Sequence, residues 1–380
     1  MSDMIFTNAR VVTADQVVDG TVHVQSGEIT EVSDGRSNVP SAIDIDGDYL
    51  LPGFVELHTD NLEKHFAPRP GVSWPQVPAV LAHDAQLAAA GITTVLDALS
   101  VGDLNENSGR LQNLTNMATA IADARDRDLL RADHFLHLRC EVSHGGMIEL
   151  FEDYQDDVYV RLVSLMDHTP GQRQFTRLDK YAEYYQGTYG MSDDQLARFM
   201  DEKRVNQERY SAPNRAAIVE RCRERGIPMA SHDDATPAHV DEALDNGVTV
   251  AEFPTTVEAA TKAHDAGLKV LMGAPNIVLG GSHSGNVSAM DLGQAGVLDI
   301  VSSDYVPSSI IQGVFRLWRE GAKKTLPDAV ATVSKTPADI ADLTDRGEIA
   351  AGKKADLIRV AIDGDTPVVV SVWREGIRVI

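Results

Sequence analysis

Five times in the middle of this chain a helical stretch ends at a glycine and an apolar strand begins at once. The instances are Ala90-Gly91-Ile92-Thr93-Thr94-Val95, Arg225-Gly226-Ile227-Pro228-Met229, Asn246-Gly247-Val248-Thr249-Val250, Ala266-Gly267-Leu268-Lys269-Val270 and Ala295-Gly296-Val297-Leu298-Asp299-Ile300. Glycine takes the left-handed conformation past a helix end without steric cost. The strands that follow show little alternation, as parallel strands buried on both faces do. Thr236-Pro237 opens one of the helices, with an N-cap residue followed by proline at the first helical position. Repeated helix–glycine–strand units call for a parallel sheet, either a barrel or an open doubly wound sheet. A chain of 380 residues is long enough for a barrel and a minor domain besides.

Both ends of the chain differ from this middle. Ile5-Phe6, Arg10-Val11-Val12, Thr21-Val22-His23-Val24 and Ile29-Thr30-Glu31-Val32 are short β-forming clusters separated by Gly20, Gly27, Gly35 and Gly47. The C-terminus repeats the pattern with Asp356-Leu357-Ile358-Arg359-Val360, Val368-Val369-Val370 and Val372-Trp373, with Gly364 and Gly376 as turns. The expected fold is therefore α/β: a (β/α)8 barrel over residues 52–345, with a small β-sandwich domain built from residues 1–51 and 346–380.

The carboxyl ends of the inner strands carry polar, metal-capable groups. Phe54-Val55-Glu56-Leu57 leads into His58-Thr59-Asp60, and Phe135-Leu136-His137-Leu138 into Arg139-Cys140-Glu141. Further strands run into Asp167-His168, into His232-Asp233-Asp234, into Glu252 and into Asp304. A barrel places its active site at that rim. Side chains two apart on a strand point the same way, so His58 and Asp60 can face one ion. A single histidine at a strand end is ordinarily a hydrogen-bonded structural residue. The convergence of His58, Asp60, Glu141, His168, His232 and Asp304 favours a metal site, and mixed imidazole and carboxylate donors suit zinc, manganese or iron. Two divalent ions, zinc or manganese, are expected. Asp304 is assigned a second role as general base towards the attacking water; the plainer alternative is a helix cap or ion-pair partner.

Leu51-Pro52-Gly53-Phe54-Val55-Glu56-Leu57-His58 resembles the first barrel strand of the amidohydrolase superfamily. Thr336-Pro337-Ala338, Gly347-Glu348-Ile349 and Gly352-Lys353-Lys354-Ala355-Asp356-Leu357 resemble its C-terminal signature, so the likeness covers nearly the whole chain. Two departures stand out. Asp60 replaces the second histidine of the usual pair, and no lysine stands at a strand end to serve as a bridging ligand, a place Glu141 can fill. By strand count His168 and His232 fall one strand earlier than the usual pair; either that count is off by one, or Glu252 is a ligand in place of one of them.

A narrower resemblance is to the PhnM subfamily of phosphonate-metabolism proteins. It rests on the run from His58 to His65 with Pro68-Arg69-Pro70 and Trp74-Pro75, on Ser231-His232-Asp233-Asp234-Ala235-Thr236, on Gly273-Ala274-Pro275-Asn276, on the loop from Gly280 to Asn286, and on Ser302-Ser303-Asp304-Tyr305. This resemblance implies metal-dependent hydrolysis of α-D-ribose 1-methylphosphonate 5-triphosphate to the 5-phosphate with release of diphosphate, in the carbon–phosphorus lyase pathway. Against that chemistry Lys64, His65, Arg69 and Arg173 are candidates to hold phosphate oxygens. The small-residue loop around His283 offers backbone amides as an anion nest. The alternatives are a C–N amidohydrolase or deaminase on the same barrel and a non-catalytic scaffold.

Composition narrows the partners. The formal net charge of -23 disfavours nucleic acid, whose phosphates need a basic surface. It also requires cations inside the pocket to reverse the field for a phosphorylated sugar substrate. The sequence shows no apolar run of the roughly 20 residues that span a bilayer, and its first residues, which lack a basic stretch followed by a long apolar one, are not expected to form a secretion leader, so no membrane partner is expected. Two cysteines, Cys140 and Cys222, leave no disulfide framework, and a cytoplasmic location is expected. A homodimer is left open. His83 and His134 are expected to be structural. Residues 123–131 read as a solvated helix face, and Tyr181-Ala182-Glu183-Tyr184-Tyr185 as part of an insertion packed by helices.

Overall fold

The computed structural model describes residues 3–69, 71–103, 110–173, 186–187, 190–282 and 285–380. Its strands begin with β1 (Met4–Val12), β2 (Val17–Gln25), β3 (Glu28–Asp34), β4 (Ile43–Asp44) and β5 (Tyr49–Pro52). The middle contributes β6 (Phe54–Thr59), β7 (Ile92–Val101), β8 (Asp133–Glu141), β9 (Val160–Met166), β10 (Met229–His232), β11 (Val250–Glu252), β12 (Lys269–Gly273) and β13 (Ile300–Ser302). The C-terminus adds β14 (Leu357–Asp363), β15 (Thr366–Arg374) and β16 (Ile377–Arg378). By internal contacts the chain falls into two compact units. One comprises Met1–Asp97, Thr119–Phe135 and Met272–Ile380; the other comprises Ala98–Ala118 and Leu136–Leu271.

The terminal strands form one mostly antiparallel sheet in the order β16-β15-β14-β5-β1-β2-β3, with β4 beside β1. Its two halves join where β14 pairs with β5, Leu357 opposite Pro52 and Val360 opposite Tyr49. Phe6 on β1 meets Trp373 on β15 edge to face, with ring centroids 4.9 Å apart. Val11, Val22, Val24, Ile29, Leu50 and Leu357 pack into the same apolar cluster. This sheet thus cannot complete its core until the chain has returned from the middle.

Strands β6 to β13 lie side by side in chain order in a second sheet. The registers of β6 with β7, β8 with β9, β9 with β10, β10 with β11 and β11 with β12 are all parallel. A parallel bridge between Thr59 and Asp304 couples β6 to the segment just after β13. Each residue of β6 and β7 is buried, as expected of strands covered on both faces. All five helix-ending glycines named from the sequence, Gly91, Gly226, Gly247, Gly267 and Gly296, have positive φ. Thr236 caps its helix by accepting from the His239 N–H, with Pro237 in the first turn.

The insertion after His168 leads into a long helix, Asp193–Arg225, started by a Ser192/Gln195 capping box. Tyr181 to Tyr185 lie outside the described residues. The charged stretch at 123–131 is helical only at its start, because the helix Arg110–Asp126 ends there and Arg131 already leads into β8.

Gly53 marks the passage from the small sheet into β6. Its N–H donates to the Asp356 carbonyl at 2.7 Å, and a Cβ there would collide with Thr93 and come within 2.9 Å of Asp356 Cβ. Neither neighbour is a flexible chain end. Gly53→Ala is therefore expected to destabilise the fold by about 1–3 kcal/mol through overpacking. Urea denaturation checks this, and an unchanged midpoint would contradict it.

Candidate metal centre

In the first unit the site begins with β6. Glu56 and His58 lie two apart on the strand and both are buried. The Glu56 carboxylate accepts the His58 N–H at 2.8 Å and the Ser303 N–H at 2.6 Å, so one side chain ties together the ends of β6 and β13. Burial pushes its carboxyl up to about 7, against the two backbone hydrogen bonds that favour the ionised form. The Asp304 N–H donates to the His58 carbonyl at 3.2 Å, and Thr59 Oγ1 donates to the Asp304 carbonyl at 2.7 Å. Asp304 itself has φ 54, and a Cβ on Gly273 would come within 3.3 Å of its Oδ2. A left-handed aspartate costs backbone energy, and such residues cluster at functional sites.

Asp60 stands at the N-cap position of the short helix Asn61–Phe66 yet makes no side-chain cap hydrogen bond. Its Oδ1 is buried with no hydrogen-bond partner. A buried carboxylate oxygen left in this way is costly unless a cation takes its lone pairs. This orphaned atom is the observation that fits a metal to these residues. Lys64, one turn on, donates its Nζ to the Tyr305 carbonyl, and its ammonium lies 5.1 Å from the centre of the Tyr305 ring. The Tyr305 hydroxyl is raised, first by burial and then by the charges of Asp304 and Asp60. His65 hydrogen-bonds Gln86 at 3.0 Å. Arg69 is exposed, in a short turn closed by its backbone against Val72. His283 lies outside the described residues.

In the second unit two imidazoles are held alike. His168 Nδ1 lies 2.7 Å from Glu141 Oε2, and His232 Nδ1 lies 2.7 Å from Glu252 Oε2. Glu141 also accepts from Ser143 Oγ at 2.6 Å, and Glu252 from Ser164 Oγ at 2.8 Å. The opposite ring nitrogens converge on Asp233: His232 Nε2 is 3.4 Å and His168 Nε2 3.9 Å from its Oδ2. Imidazoles braced at one nitrogen by carboxylates and presenting the other to a common point are a recurring metal-site arrangement. His168, His232 and Asp233 form one metal-capable group. Burial works against a charged His168, but the hydrogen bond and charge of Glu141 outweigh it and raise the ring's pKa. In the sheet order His168 follows the fourth strand, His232 lies on the fifth and Glu252 on the sixth, as counted from the sequence; Glu252, weighed there as a ligand in place of one of these histidines, is instead engaged with His232 Nδ1 and Ser164 Oγ.

Asp233 and His137 were not picked out from the sequence. Asp233 has φ 57 and Phe253, just after Glu252, has φ 52; the Phe253 ring stands edge-on to His232 with centroids 5.6 Å apart. Left-handed residues after adjacent strand ends are not legible in a sequence that offers no glycine there. His137 does leave a trace: it lies four residues before Glu141 on the same face of β8. It reaches Ser164 Oγ at 2.5 Å.

Arg173 is placed differently from expectation. Its guanidinium is buried and pairs with Asp234 and, at 2.7 Å, with Glu242, while also donating to the His232 carbonyl at 3.2 Å. The sequence reading gave it to phosphate; the structure commits it to bracing the loop that carries His232. Asp234 lies beyond the strand end and Glu242 on the following helix, partners roughly sixty residues away that Arg173's own loop does not announce.

A further metal-capable group, His83, Asp97 and His134, is wholly buried in the first unit. Asp97 takes His83 Nε2 at 2.8 Å on one oxygen and His134 Nδ1 at 2.7 Å on the other. These are hydrogen bonds, and the expected structural role of both histidines agrees with them.

Comparison with known proteins gives this geometry a context. A profile described as the amidohydrolase family matches residues 49–379. An Escherichia coli (strain K12) protein, alpha-D-ribose 1-methylphosphonate 5-triphosphate diphosphatase, is 49% identical over 377 residues, covering 99% of this chain and 100% of that protein. The chain belongs to the amidohydrolase family. Two crystal structures share its fold. N-acetylglucosamine-6-phosphate deacetylase from Pasteurella multocida superposes with a TM-score of 0.64 at 14% identity, covering 99% of each chain. The 5-methylcytosine deaminase from Klebsiella pneumoniae gives 0.64 at 16% identity, covering 99% of this chain and 98% of that one. At such identities the likeness concerns the fold alone: a (β/α)8 barrel and a separate sheet drawn from both ends.

The His134 environment yields a test. Burial opposes its charge, but Asp97 and Asp84 outweigh this and raise its pKa from 6.5 to about 9. A group raised on folding stabilises fully below its unfolded pKa and loses that contribution as pH rises through the folded value. The metal-free protein is therefore expected to lose stability between about pH 6.5 and pH 9, with His134→Gln flattening the slope. Denaturant titrations at the two ends of that window check it; parallel pH profiles for both proteins would contradict it.

Proposed function

We propose that this protein hydrolyses α-D-ribose 1-methylphosphonate 5-triphosphate to α-D-ribose 1-methylphosphonate 5-phosphate and diphosphate, as a step in phosphonate breakdown. The full-length relative at 49% identity carries this reading. The arrangement of the strand ends supports it. Two divalent cations, zinc or manganese, fit the mixed imidazole and carboxylate donors. His58, Asp60 and Asp304 are proposed to hold one, and His168 and His232, with Asp233 added from the geometry, the other; Glu141, a ligand in the sequence reading, takes His168 Nδ1 and is proposed to brace that ring instead. When bound, such cations acidify a water and neutralise charge on phosphate oxygens.

The chain's own groups supply the rest. Asp304, fixed through its backbone to His58 and Thr59, is proposed to take the proton of the attacking water. Transfer of a phosphoryl group to water spreads charge over its oxygens, so cationic donors must surround them. Lys64, held at the Tyr305 carbonyl beside Asp304, is the described cation best placed for this. Arg69 and His65 on the same segment are proposed beside it, with the loop bearing His283. Arg173 is proposed to act on the substrate only through the His232 loop.

The same reading names a small phosphorylated sugar as the partner. Among the described residues no helix is long and apolar enough to cross a membrane. Both cysteines are buried and free, which is in keeping with the reducing cytoplasm we propose as its location.

The experiment is to incubate the metal-loaded protein with the ribose triphosphate and to quantify diphosphate, orthophosphate and ammonia-releasing side activity on amides and amines. Diphosphate release in step with the 5-phosphate is expected. Ammonia release without diphosphate would move the chain to C–N hydrolysis. Asp304→Asn is expected to lower kcat about 10²- to 10⁴-fold, the usual worth of a general base, and a variant retaining wild-type kcat would remove Asp304 from that role.

A further inference from the structure

The buried group His83–Asp97–His134 has no part in the chemistry above, yet it ends one residue from Asp60. Its proton positions follow from its partners. His134 faces a carboxylate oxygen at each ring nitrogen, Asp97 Oδ2 at 2.7 Å and Asp84 Oδ1 at 3.4 Å, so both nitrogens carry protons. Asp84 is satisfied in turn by the Arg131 and Ala132 N–H groups and the Arg131 guanidinium. Two aspartates, one imidazolium and one arginine sum to zero charge, which is what permits so much polarity in a buried place.

The other half of the chain is fixed with equal definiteness. Asn61 Nδ2 lies 3.1 Å from His83 Nδ1 and 3.0 Å from Gln86 Oε1. An amide nitrogen only donates, so His83 accepts at Nδ1 and is neutral. Its Nε2–H donates to Asp97 Oδ1 at 2.8 Å. Burial lowers the His83 pKa and favours the same state. His65 Nε2 lies beside both, 3.0 Å from Gln86 Oε1 and 3.3 Å from Asn61 Nδ2. Within the group the donors point one way, from His134 and His83 into Asp97 and from Asn61 into His83.

Asn61 is the first residue of the helix that Asp60 precedes without capping. Thr59, one residue further back, pairs with Asp97 across the sheet. Asp60 therefore sits between two residues tied to Asp97, Thr59 to its backbone through the strand register and Asn61 to its carboxylate through His83. We propose that Asn61, His83, Asp97 and His134 form a positioning array that sets the Asp60 carboxylate for cation binding. This rests on the reading of Asp60 as a ligand. The array acts by hydrogen bonding: no proton passes along it, because His83 and His134 hold fixed protonation states.

The test separates hydrogen bonding from packing and from proton relay. Gln at position 83 can accept from Asn61 and donate to Asp97, but it cannot carry a proton through; Leu can do neither. Zinc affinity is measured by competition with a chromophoric chelator, and kcat and KM on the ribose triphosphate. His83→Leu and Asn61→Ala are expected to weaken zinc binding at one site about 10- to 100-fold, the usual cost of losing a ligand's support. They should also lower kcat with KM little changed, while His83→Gln restores both to within a few-fold. Equal behaviour of the Gln and Leu variants would overturn the array, and so would wild-type zinc affinity in Asn61→Ala.

Ring-nitrogen magnetic resonance of the metal-free wild-type protein needs no variant to fold. It should show His83 protonated at Nε2 only and His134 at both nitrogens from about pH 6 to pH 8; His83 protonated at Nδ1 would reverse the chain and overturn the proposal. Asp60→Asn locates a failure. Unchanged zinc affinity there removes Asp60 as a ligand and the array's purpose with it. Weakened affinity in Asp60→Asn with a silent His83→Leu removes the array alone.

Discussion

Glu56 holds together the part of the fold on which the rest depends. A wholly buried carboxylate is costly unless its oxygens are satisfied. Here it accepts N–H donors from His58 on one strand and Ser303 beyond another. Where β6 and β13 meet, regular pairing has shrunk to the Thr59–Asp304 bridge, and a side chain does what a ladder does elsewhere. The same contact fixes the backbone of His58 and of the residue before Asp304. Closure of the sheet and placement of two site residues are thus one interaction, and a defect in either is felt by both.

The electrostatics follow a consistent plan. A chain with net charge -23 repels a polyphosphate unless positive charge is supplied locally. Rather than lining the strand ends with arginines, the fold gathers imidazoles and carboxylates there and holds each imidazole by its far nitrogen: His168 on Glu141 and His232 on Glu252. Such a set is built to take cations and not anions directly. Arg173 shows the other side of this arrangement, since its charge is neutralised by Asp234 and Glu242 before it can serve a ligand. The left-handed backbone at Asp233, Phe253 and Asp304 aims these ends at a stored cost in strain.

Much of this was legible in the sequence because it rests on local rules. Helix-ending glycines announced the strand starts, since no other residue takes the left-handed turn so cheaply. Polar residues at the ends of apolar runs announced the rim. What escaped depends on distant partners. His83 and His134 read as isolated structural residues because the residue that joins them, Asp97, lies on another element, the strand Ile92–Val101, and only the fold brings the three together. Asp233 was overshadowed by His232 beside it, and its turn is one that glycine would have advertised. Arg173 carried the right charge for phosphate, and only the fold reveals that its loop lies against Asp234 and Glu242. His137 is the exception: its spacing from Glu141 was in plain view and could have been read.

The central claim is that these strand-end groups hold divalent cations. The most direct measurement is anomalous diffraction from crystals of the zinc- or manganese-loaded protein. The account predicts density peaks against Asp60 Oδ1 and against the Nε2 atoms of His168 and His232, with Glu252 still braced on His232 Nδ1. Loaded crystals with no anomalous peak at Asp60, or with both imidazoles bound to nothing but their carboxylates, would contradict it.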